Sequence, residues 1–206
     1  MSDFFSLLIQ LIILLFAVVI HEVSHGAVAS HLGDPTAKES GRLTLNPIKH
    51  LDPWGSFIIP LTLFIFSHGR AVFGWAKPVP VNPMLLRNPK RDIGLVAFAG
   101  PAANLSLAVI FGILLRIFGV FSLNLPLIYF FSAIVYINLL LAVFNLVPIP
   151  PLDGSKILFS LAPASWAPLL SFLELYGPII LIIFLFFGFP LIWPVINFLF
   201  HLFTGI

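Results

Sequence analysis

The sequence predicts an all-α polytopic membrane protein with about five to six membrane helices. Hydrophobic residues make up 60% of the 206-residue chain and charged residues only 9%, whereas soluble domains average roughly one half and one quarter. Several apolar runs reach the roughly 20 residues that a helix needs to cross a hydrocarbon core about 30 Å thick. We expect one membrane-embedded domain that covers residues 1–206.

The first predicted helix runs from Phe4 to about Ser30. It is apolar up to His21, and a Gly-Asp-Pro sequence at residues 33–35 then ends it. An apolar run at this position also suits a signal peptide, but this one lacks a basic leading segment. We therefore expect a permanent membrane helix.

The second apolar stretch, Trp54 to Phe66, is short for a straight crossing and contains a glycine and a proline. It leads into Phe73 to Pro83, where repeated prolines remove backbone donors and disfavour a helix. We predict a re-entrant or extended segment near residues 54–83.

The remaining predicted helices begin with Ile93 to Phe118 and Leu127 to Leu146. The proline-rich segment Pro148 to Gly154 closes the second of these helices. Two further apolar stretches, Leu169 to Phe187 and Leu191 to Phe203, are expected to form a closing hairpin.

Basic residues indicate the orientation, because those that flank membrane helices prefer the cytoplasm. If the first helix runs inward and the second stretch is re-entrant, one side carries Lys38, Arg42, Lys49, Lys77, Arg87, Lys90, Arg91 and Lys156. The stretch from Ser122 to Tyr129, on the opposite side, has no basic residue. We expect a multi-pass protein of the cell membrane in which the first helix ends at the cytoplasmic face.

The overall charge argues against a nucleic-acid partner. The net charge is only +2, and the basic residues are scattered rather than clustered. The chain contains no cysteine, so any metal site must use His, Asp or Glu ligands.

His21-Glu22-Val23-Ser24-His25 carries the strongest chemical signal. On a helix it places two imidazoles one turn apart on the same face, where both can bind one Zn²⁺ while Glu22 reaches a water on the metal. The alternative is a polar helix end with incidental ionisable residues. Ionisable groups inside a membrane are expensive and are by default functional, so we predict one Zn²⁺ per chain.

A catalytic zinc usually keeps three protein ligands, and the sequence leaves several candidates for the third. His31 has metzincin spacing, but Val28 stands where that pattern has a glycine. Asp153 lies in a turn that the topology places beside the end of the first helix, although an Asp-Gly pair is also ordinary in a surface turn. Further candidates stand in polar loops or in an apolar stretch: Glu39, His50, Asp52, His68 and Glu174.

Four segments occur in a characteristic order: His21–His25, the proline-rich Phe73–Pro83, Gly100-Pro101-Ala102-Ala103-Asn104, and Asn145–Gly154 with its Leu-Asp-Gly ending. Together they resemble the site-2 protease family of intramembrane zinc metalloproteases. The proline-rich segment is similar to the extended loop of the family's small bacterial and archaeal members. Some members add a PDZ domain or an extra helix, and the chain resembles a minimal form without them.

The resemblance implies that His21, His25 and Asp153 bind zinc and that Glu22 is the general base. It also implies hydrolysis of peptide bonds in or near transmembrane segments of membrane-tethered substrates, as in regulated intramembrane proteolysis. Asn104 and Asn145 are polar residues near helix ends. They are expected to hold substrate backbone or the developing oxyanion, or else only to join helices.

The main competing hypothesis is a metal-ion or proton transporter that uses the same His and Asp residues, since intramembrane ionisable groups often serve transport. A transport pathway does not need a glutamate between two ligands to activate water. Glu22 therefore favours hydrolysis, with a transmembrane protein or peptide as substrate and the lipid bilayer as surroundings.

Overall fold

The computed structural model describes residues 3–66, 76–119 and 125–206. All regular elements in these ranges are helical. The α-helices are α1 (Asp3–His31), α2 (Thr36–Glu39), α3 (Ile59–Phe66), α4 (Pro89–Gly119), α5 (Leu125–Asn145), α6 (Asp153–Leu161), α7 (Ala167–Ile183) and α8 (Trp193–Thr204). Shorter 3₁₀ or π turns occur at Pro47–His50, Pro53–Ile58, Pro83–Leu85, Ala164–Trp166, Phe184–Gly188 and Phe189–Leu191.

Four segments of the described chain are long and apolar enough to cross a membrane: Phe5–His31, Pro89–Ile117, Leu125–Asn145 and Ala164–Leu191. This confirms the prediction of an all-α polytopic membrane protein. The sequence-based count was higher because it included shorter apolar segments. Of these, α8 has 12 residues and α3 has eight, fewer than the roughly 20 of a straight crossing.

Helix α4 is the centre of the fold and packs against α1, α5, α6 and α8. Its core contact with α5 and α8 consists of buried apolar side chains: Ala108, Leu115, Val135, Leu139, Ile192 and Ile196. Without a hydrophobic driving force inside the bilayer, such helices associate through close packing and hydrogen bonds. The central position of α4 brings the residues of its first half between α1 and α6.

The two closing helices pack differently from the predicted hairpin. Helix α8 contacts α4 and α5, whereas α7 exposes most of its apolar side chains. Gly177 of α7 lies against Pro150, so closely that an added Cβ would be 2.6 Å from the Pro150 Cβ. Apolar residues cover all sides of α7, and its sequence therefore specified no face for packing.

The proline segment, which we define as residues 76–82, is non-helical as predicted. Its prolines lack an N–H, and the N–H groups of Lys77, Val79 and Asn82 donate to residues outside the segment. The Lys77 N–H donates to the His50 carbonyl at 2.9 Å, and buried Arg42 donates to the carbonyls of Lys77 and Pro78 at 3.0 and 3.2 Å. These contacts fix the segment beside the end of α1.

Parts of two predictions lie outside the described residues. Residues 67–75 include the start of the Phe73–Pro83 segment, so the re-entrant path near residues 54–83 stays a prediction. Residues 120–124 include part of the Ser122–Tyr129 stretch.

Candidate metal centre

The two motif histidines lie on one face of α1 and point into the protein. His21 and His25 are both buried, and their rings meet edge to face with centroids 4.6 Å apart. Their Nε2 atoms lie 3.0 and 3.1 Å from the same Asp153 Oδ2. The spacing of four residues on a helix produces this convergence.

Asp153 reaches the histidines because α5 ends at Asn145 and the chain then turns sharply into α6. Asp153 is the first residue of α6 and is buried. The following residue must be small, since a Cβ on Gly154 would overlap the Leu146 carbonyl oxygen. The Asp-Gly pair is therefore part of a packed turn and not of an open surface loop.

The outer nitrogen of each histidine faces a hydrogen-bond acceptor. His21 Nδ1 lies 2.6 Å from Asn104 Oδ1, and His25 Nδ1 lies 2.6 Å from the Val96 carbonyl oxygen. A carbonyl oxygen only accepts, so each Nδ1 carries the proton. When the imidazoles are neutral, each Nε2 then keeps its lone pair, which is the form in which it binds a metal.

Gly100 of α4 leaves room between the two imidazoles. A Cβ at this position would lie 2.5 Å from His25 Nε2 and 2.6 Å from His21 Nε2. The ligand atoms of His21, His25 and Asp153 all lie within 4.8 Å of one another. Two imidazoles and a carboxylate are a donor set that zinc accepts, so the residues present fit the metal.

Glu22 lies beside this cluster and contacts the proline segment. Its Oε2 accepts a hydrogen bond from the Val79 N–H at 2.8 Å. Glu22, the three candidate ligands and the proline segment line one cavity of about 410 Å³. The other lining residues are Pro83, Ile93, Val96, Ala97, Asn145, Pro151 and Lys156.

Two carboxylates at this end of the protein are held in the ionised form. Burial acts to raise the pKa of Asp153, but the contacts with His21 and His25 outweigh it, and the pKa lies well below its usual range. Asp34 is fully buried, yet hydrogen bonds from Thr36 and from the Asn82 N–H at 2.7 Å lower its pKa. Asp34 thereby anchors the far end of the proline segment to the turn between α1 and α2.

The two asparagines that the sequence singled out occupy different positions. Asn145 lines the cavity, and its Nδ2 donates to the Leu141 carbonyl at 3.0 Å. Asn104 is fully buried behind His21. Its Oδ1 accepts from His21, and its Nδ2 donates to Ala17 and Asn138. These contacts favour a role in holding His21 over contact with substrate.

The other candidates for the third ligand lie elsewhere. His31 and Glu39 are exposed beyond the motif, and Glu174 is exposed on α7. His50 is buried but bonds the Thr44 carbonyl at 2.8 Å, and Asp52 accepts from the Gly55 N–H at 2.7 Å. His68 lies outside the described residues. Within the part of the chain that the structure describes, His21, His25 and Asp153 form the one cluster that could hold a metal.

Sequence reasoning missed two contacts of the histidines. The Val96 carbonyl gave no signal, because every residue has one. Asn138, which bonds Asn104 at 2.8 Å, did give a signal: it is a polar residue inside the apolar helix α5.

Comparison with known proteins adds independent information. The model of Peptidase family M50 matches residues 9–187. The chain is 39% identical to the Putative zinc metalloprotease YwhC of Bacillus subtilis, over 93% of this chain and 88% of that protein. It is 36% identical to the Putative zinc metalloprotease Rip2 of Mycolicibacterium smegmatis over 68% of this chain, and it spans about half of that relative, 52%.

A third relative is the Putative zinc metalloprotease MJ0611 of Methanocaldococcus jannaschii, 45% identical over 36% of this chain and 37% of that protein. No solved structure gives a significant match.

Proposed function

The chain belongs to peptidase family M50, the site-2 protease family of zinc metalloproteases, and from this premise we propose that it hydrolyses peptide bonds in or near transmembrane segments of membrane-tethered substrates. It is a multi-pass membrane protein with Zn²⁺ as its cofactor. The observation that carries the proposal is the convergence of two imidazoles and two carboxylates on one cavity within the helices.

In this proposal His21, His25 and Asp153 hold the zinc, and the cavity side of the cluster stays open. Bound zinc supplies Lewis-acid chemistry, since it lowers the pKa of a water ligand and polarises a peptide carbonyl. Asn104 and the Val96 carbonyl hold the imidazoles in the tautomer that this coordination requires. Gly100 keeps the space between the two Nε2 atoms free of side-chain atoms.

Glu22 is the proposed general base. Its Oε2 is occupied by the Val79 N–H, which orients the carboxylate and leaves Oε1 to take a proton from the attacking water. The same carboxylate then passes the proton to the leaving amine, as general acid and base catalysis requires. The Glu22–Val79 hydrogen bond therefore holds the proposed base next to the proline segment, which lines the cavity where the substrate is proposed to bind.

The substrate must be locally unwound before it is cut, because a transmembrane helix hides its amides in its own hydrogen bonds. The proline segment is not part of a sheet in the described chain and lines the cavity through Val79 and Val81. We propose that it pairs with an extended substrate as a strand does. Asn145, which lines the same cavity, is proposed to contact the substrate backbone.

We further propose that the metal centre faces the cytoplasm. Helix α4 has 31 residues and is about 46 Å long at 1.5 Å per residue, so its ends lie on opposite sides of a bilayer. Lys90 and Arg91 stand at the end that adjoins α6, whereas Arg116 stands at the other end and bonds the Leu202 carbonyl. Most basic residues flank the first end, and such residues favour the cytoplasm.

Labelling of single cysteines tests this orientation, and the chain has no cysteine of its own. Ile48 and Leu125 are 75% and 81% exposed, on the sides of the proposed site and of the opposite face. A membrane-impermeant maleimide applied to intact cells is expected to label Leu125→Cys and to label Ile48→Cys only after permeabilisation. The reverse pattern would refute the cytoplasmic orientation.

Removal and return of the metal tests the proposed reaction. Purified protein in detergent is expected to cut a single-span model substrate within or near its apolar segment, with products mapped by mass spectrometry. A zinc chelator should abolish cleavage, and added Zn²⁺ should restore it, while chelator presaturated with zinc is the control. Zinc-loaded protein that leaves the substrate intact, but carries Zn²⁺ across vesicle membranes, would support transport instead.

A further inference from the structure

We propose that Asn138 is a positioning residue for the metal centre, because together with the Ala17 carbonyl it orients Asn104 and thereby sets which nitrogen of His21 faces the zinc. The inference concerns a residue of α5 that does not line the cavity. It rests on the proposed zinc site and adds to it a chain of hydrogen bonds across three helices.

The chain of hydrogen bonds begins at a backbone carbonyl of α5. Asn138 Nδ2 donates to the Ile134 carbonyl at 2.9 Å, and Asn138 Oδ1 accepts from Asn104 Nδ2 at 2.8 Å. The same Asn104 Nδ2 donates to the Ala17 carbonyl at 3.1 Å. Asn104 Oδ1 then accepts from His21 Nδ1 at 2.6 Å. The bonds thus connect α5, α4 and α1.

The direction of each bond follows from the two carbonyls. A backbone carbonyl has lone pairs and no proton, so the groups that face Ile134 O and Ala17 O must be the amide nitrogens of Asn138 and Asn104. Amide orientation is otherwise inferred from the surrounding network. Here the network turns Asn138 Oδ1 toward Asn104 and Asn104 Oδ1 toward His21. His21 must therefore present a protonated Nδ1.

The two histidines reach the same tautomer by different routes. His25 Nδ1 meets a backbone carbonyl directly, that of Val96. His21 Nδ1 meets a side-chain amide, which presents either a donor or an acceptor according to its orientation. Asn138 Oδ1 and the Ala17 carbonyl each pair with one hydrogen of the Asn104 NH₂ group, and together they hold the Asn104 Oδ1 acceptor toward His21.

The burial of both amides makes the arrangement stable. Asn104 is 0% exposed and Asn138 is 2% exposed, so water cannot compensate for a lost bond. If the Asn104 amide turned over, its oxygen would face the Asn138 oxygen, and its NH₂ group would face the protonated His21 Nδ1. Neither pair can form a hydrogen bond, and buried unpaired polar groups are costly. Partners that orient metal-binding histidines typically contribute about 10- to 100-fold in metal affinity.

The alternative is that Asn138 only joins α4 to α5, which is a common use of asparagine in membranes. Zinc affinity distinguishes the two roles and does not depend on catalysis. We would measure the zinc dissociation constant by competition with a fluorescent chelator for four detergent-purified proteins: wild type, Asn138→Leu, Asn138→Asp and Asn104→Asp/Asn138→Leu. Thermal unfolding of each metal-free protein reports packing separately.

Asn138→Leu is expected to weaken zinc binding about 10-fold or more, because the Asn104 amide loses one of the two acceptors that orient it and keeps a buried, unpaired N–H. Asn138→Asp, buried and protonated, keeps one donor and one acceptor, so its affinity should stay near that of wild type. In the double variant, a protonated Asp at position 104 donates its O–H to the Ala17 carbonyl, leaves no unpaired donor toward the leucine at position 138, and keeps its other oxygen as the acceptor for His21 Nδ1. It should restore zinc affinity although the packing between α4 and α5 is not restored.

Wild-type zinc affinity in Asn138→Leu would overturn the proposal, as would a double variant that binds zinc as weakly as Asn138→Leu. Failure of the wild type to bind zinc would overturn the proposed function itself. If Asn138→Leu does not fold, Asn138→Ala replaces it in both comparisons, with thermal unfolding as the packing control. Asn138→Ala is expected to weaken zinc binding about 10-fold, and wild-type zinc affinity in this variant would refute the proposal.

Discussion

Glu22→Gln is expected to abolish peptide hydrolysis and to leave the zinc in place. The glutamine side chain can still accept the Val79 N–H through its amide oxygen, so the contact with the proline segment survives. The amide cannot take a proton from water, and loss of a general base typically lowers the rate about 10²–10⁴-fold. Glu22 is outside the cluster of candidate ligands, so zinc per chain should equal that of wild type.

The measurement pairs the initial rate of cleavage of a single-span substrate with zinc analysis of the same sample. Glu39→Gln is the matched control, since Glu39 is exposed on α2 and its replacement should change neither quantity. Normal cleavage by Glu22→Gln would eliminate Glu22 as the base. Loss of zinc in this variant would mean that Glu22 is a ligand, and the proposed division of roles would be wrong.

The sequence predicted that His21 and His25 share one face of a helix, because the geometry of this pair is local. His21 and His25 are four positions apart, and a helix alone brings them to one face. The proposed third ligand could not be found from local spacing, because Asp153 lies 128 residues beyond His25. Spacing left several candidates for this position, and only the resemblance to a family singled out Asp153.

The hydrogen bonds behind the histidines could not be predicted in the same way. Val96 contributes a backbone carbonyl, and every residue type has one. Gly100 matters because it has no side chain to fill the space between the two imidazoles. Asn138 can be recognised in the sequence as a polar residue in an apolar helix. Its contact with Asn104 cannot be predicted from the sequence, because the packing of α4 against α5 determines which polar groups meet.

The membrane helices themselves followed from length and apolar composition, whereas their packing did not. Helix α8 has buried Ile196 and Thr204, and it packs against α4 and α5. Helix α7 is of similar composition but stays largely exposed. In a bilayer an apolar side chain gains little free energy by moving from lipid to protein, because lipid tails are as apolar as the side chain. Hydropathy therefore carries little information on which face of a helix is buried.

Asp153→Ala is expected to lose both zinc and activity. The substitution leaves two imidazoles, fewer than the three protein ligands of a usual catalytic zinc site. It also removes the carboxylate oxygen that both Nε2 atoms now face at 3.0 and 3.1 Å. Asp92→Ala is the matched control, since Asp92 is another buried carboxylate that accepts from the Asn88 N–H at 2.8 Å at the start of α4.

The most direct test of the zinc centre is therefore the zinc content of purified wild type and Asp153→Ala, determined per chain after identical dialysis. The proposed centre predicts about one zinc per chain in wild type, the same value in Asp92→Ala, and a large loss in Asp153→Ala. Equal zinc in Asp153→Ala and wild type, or none in wild type, would contradict the assignment of His21, His25 and Asp153 as the metal ligands.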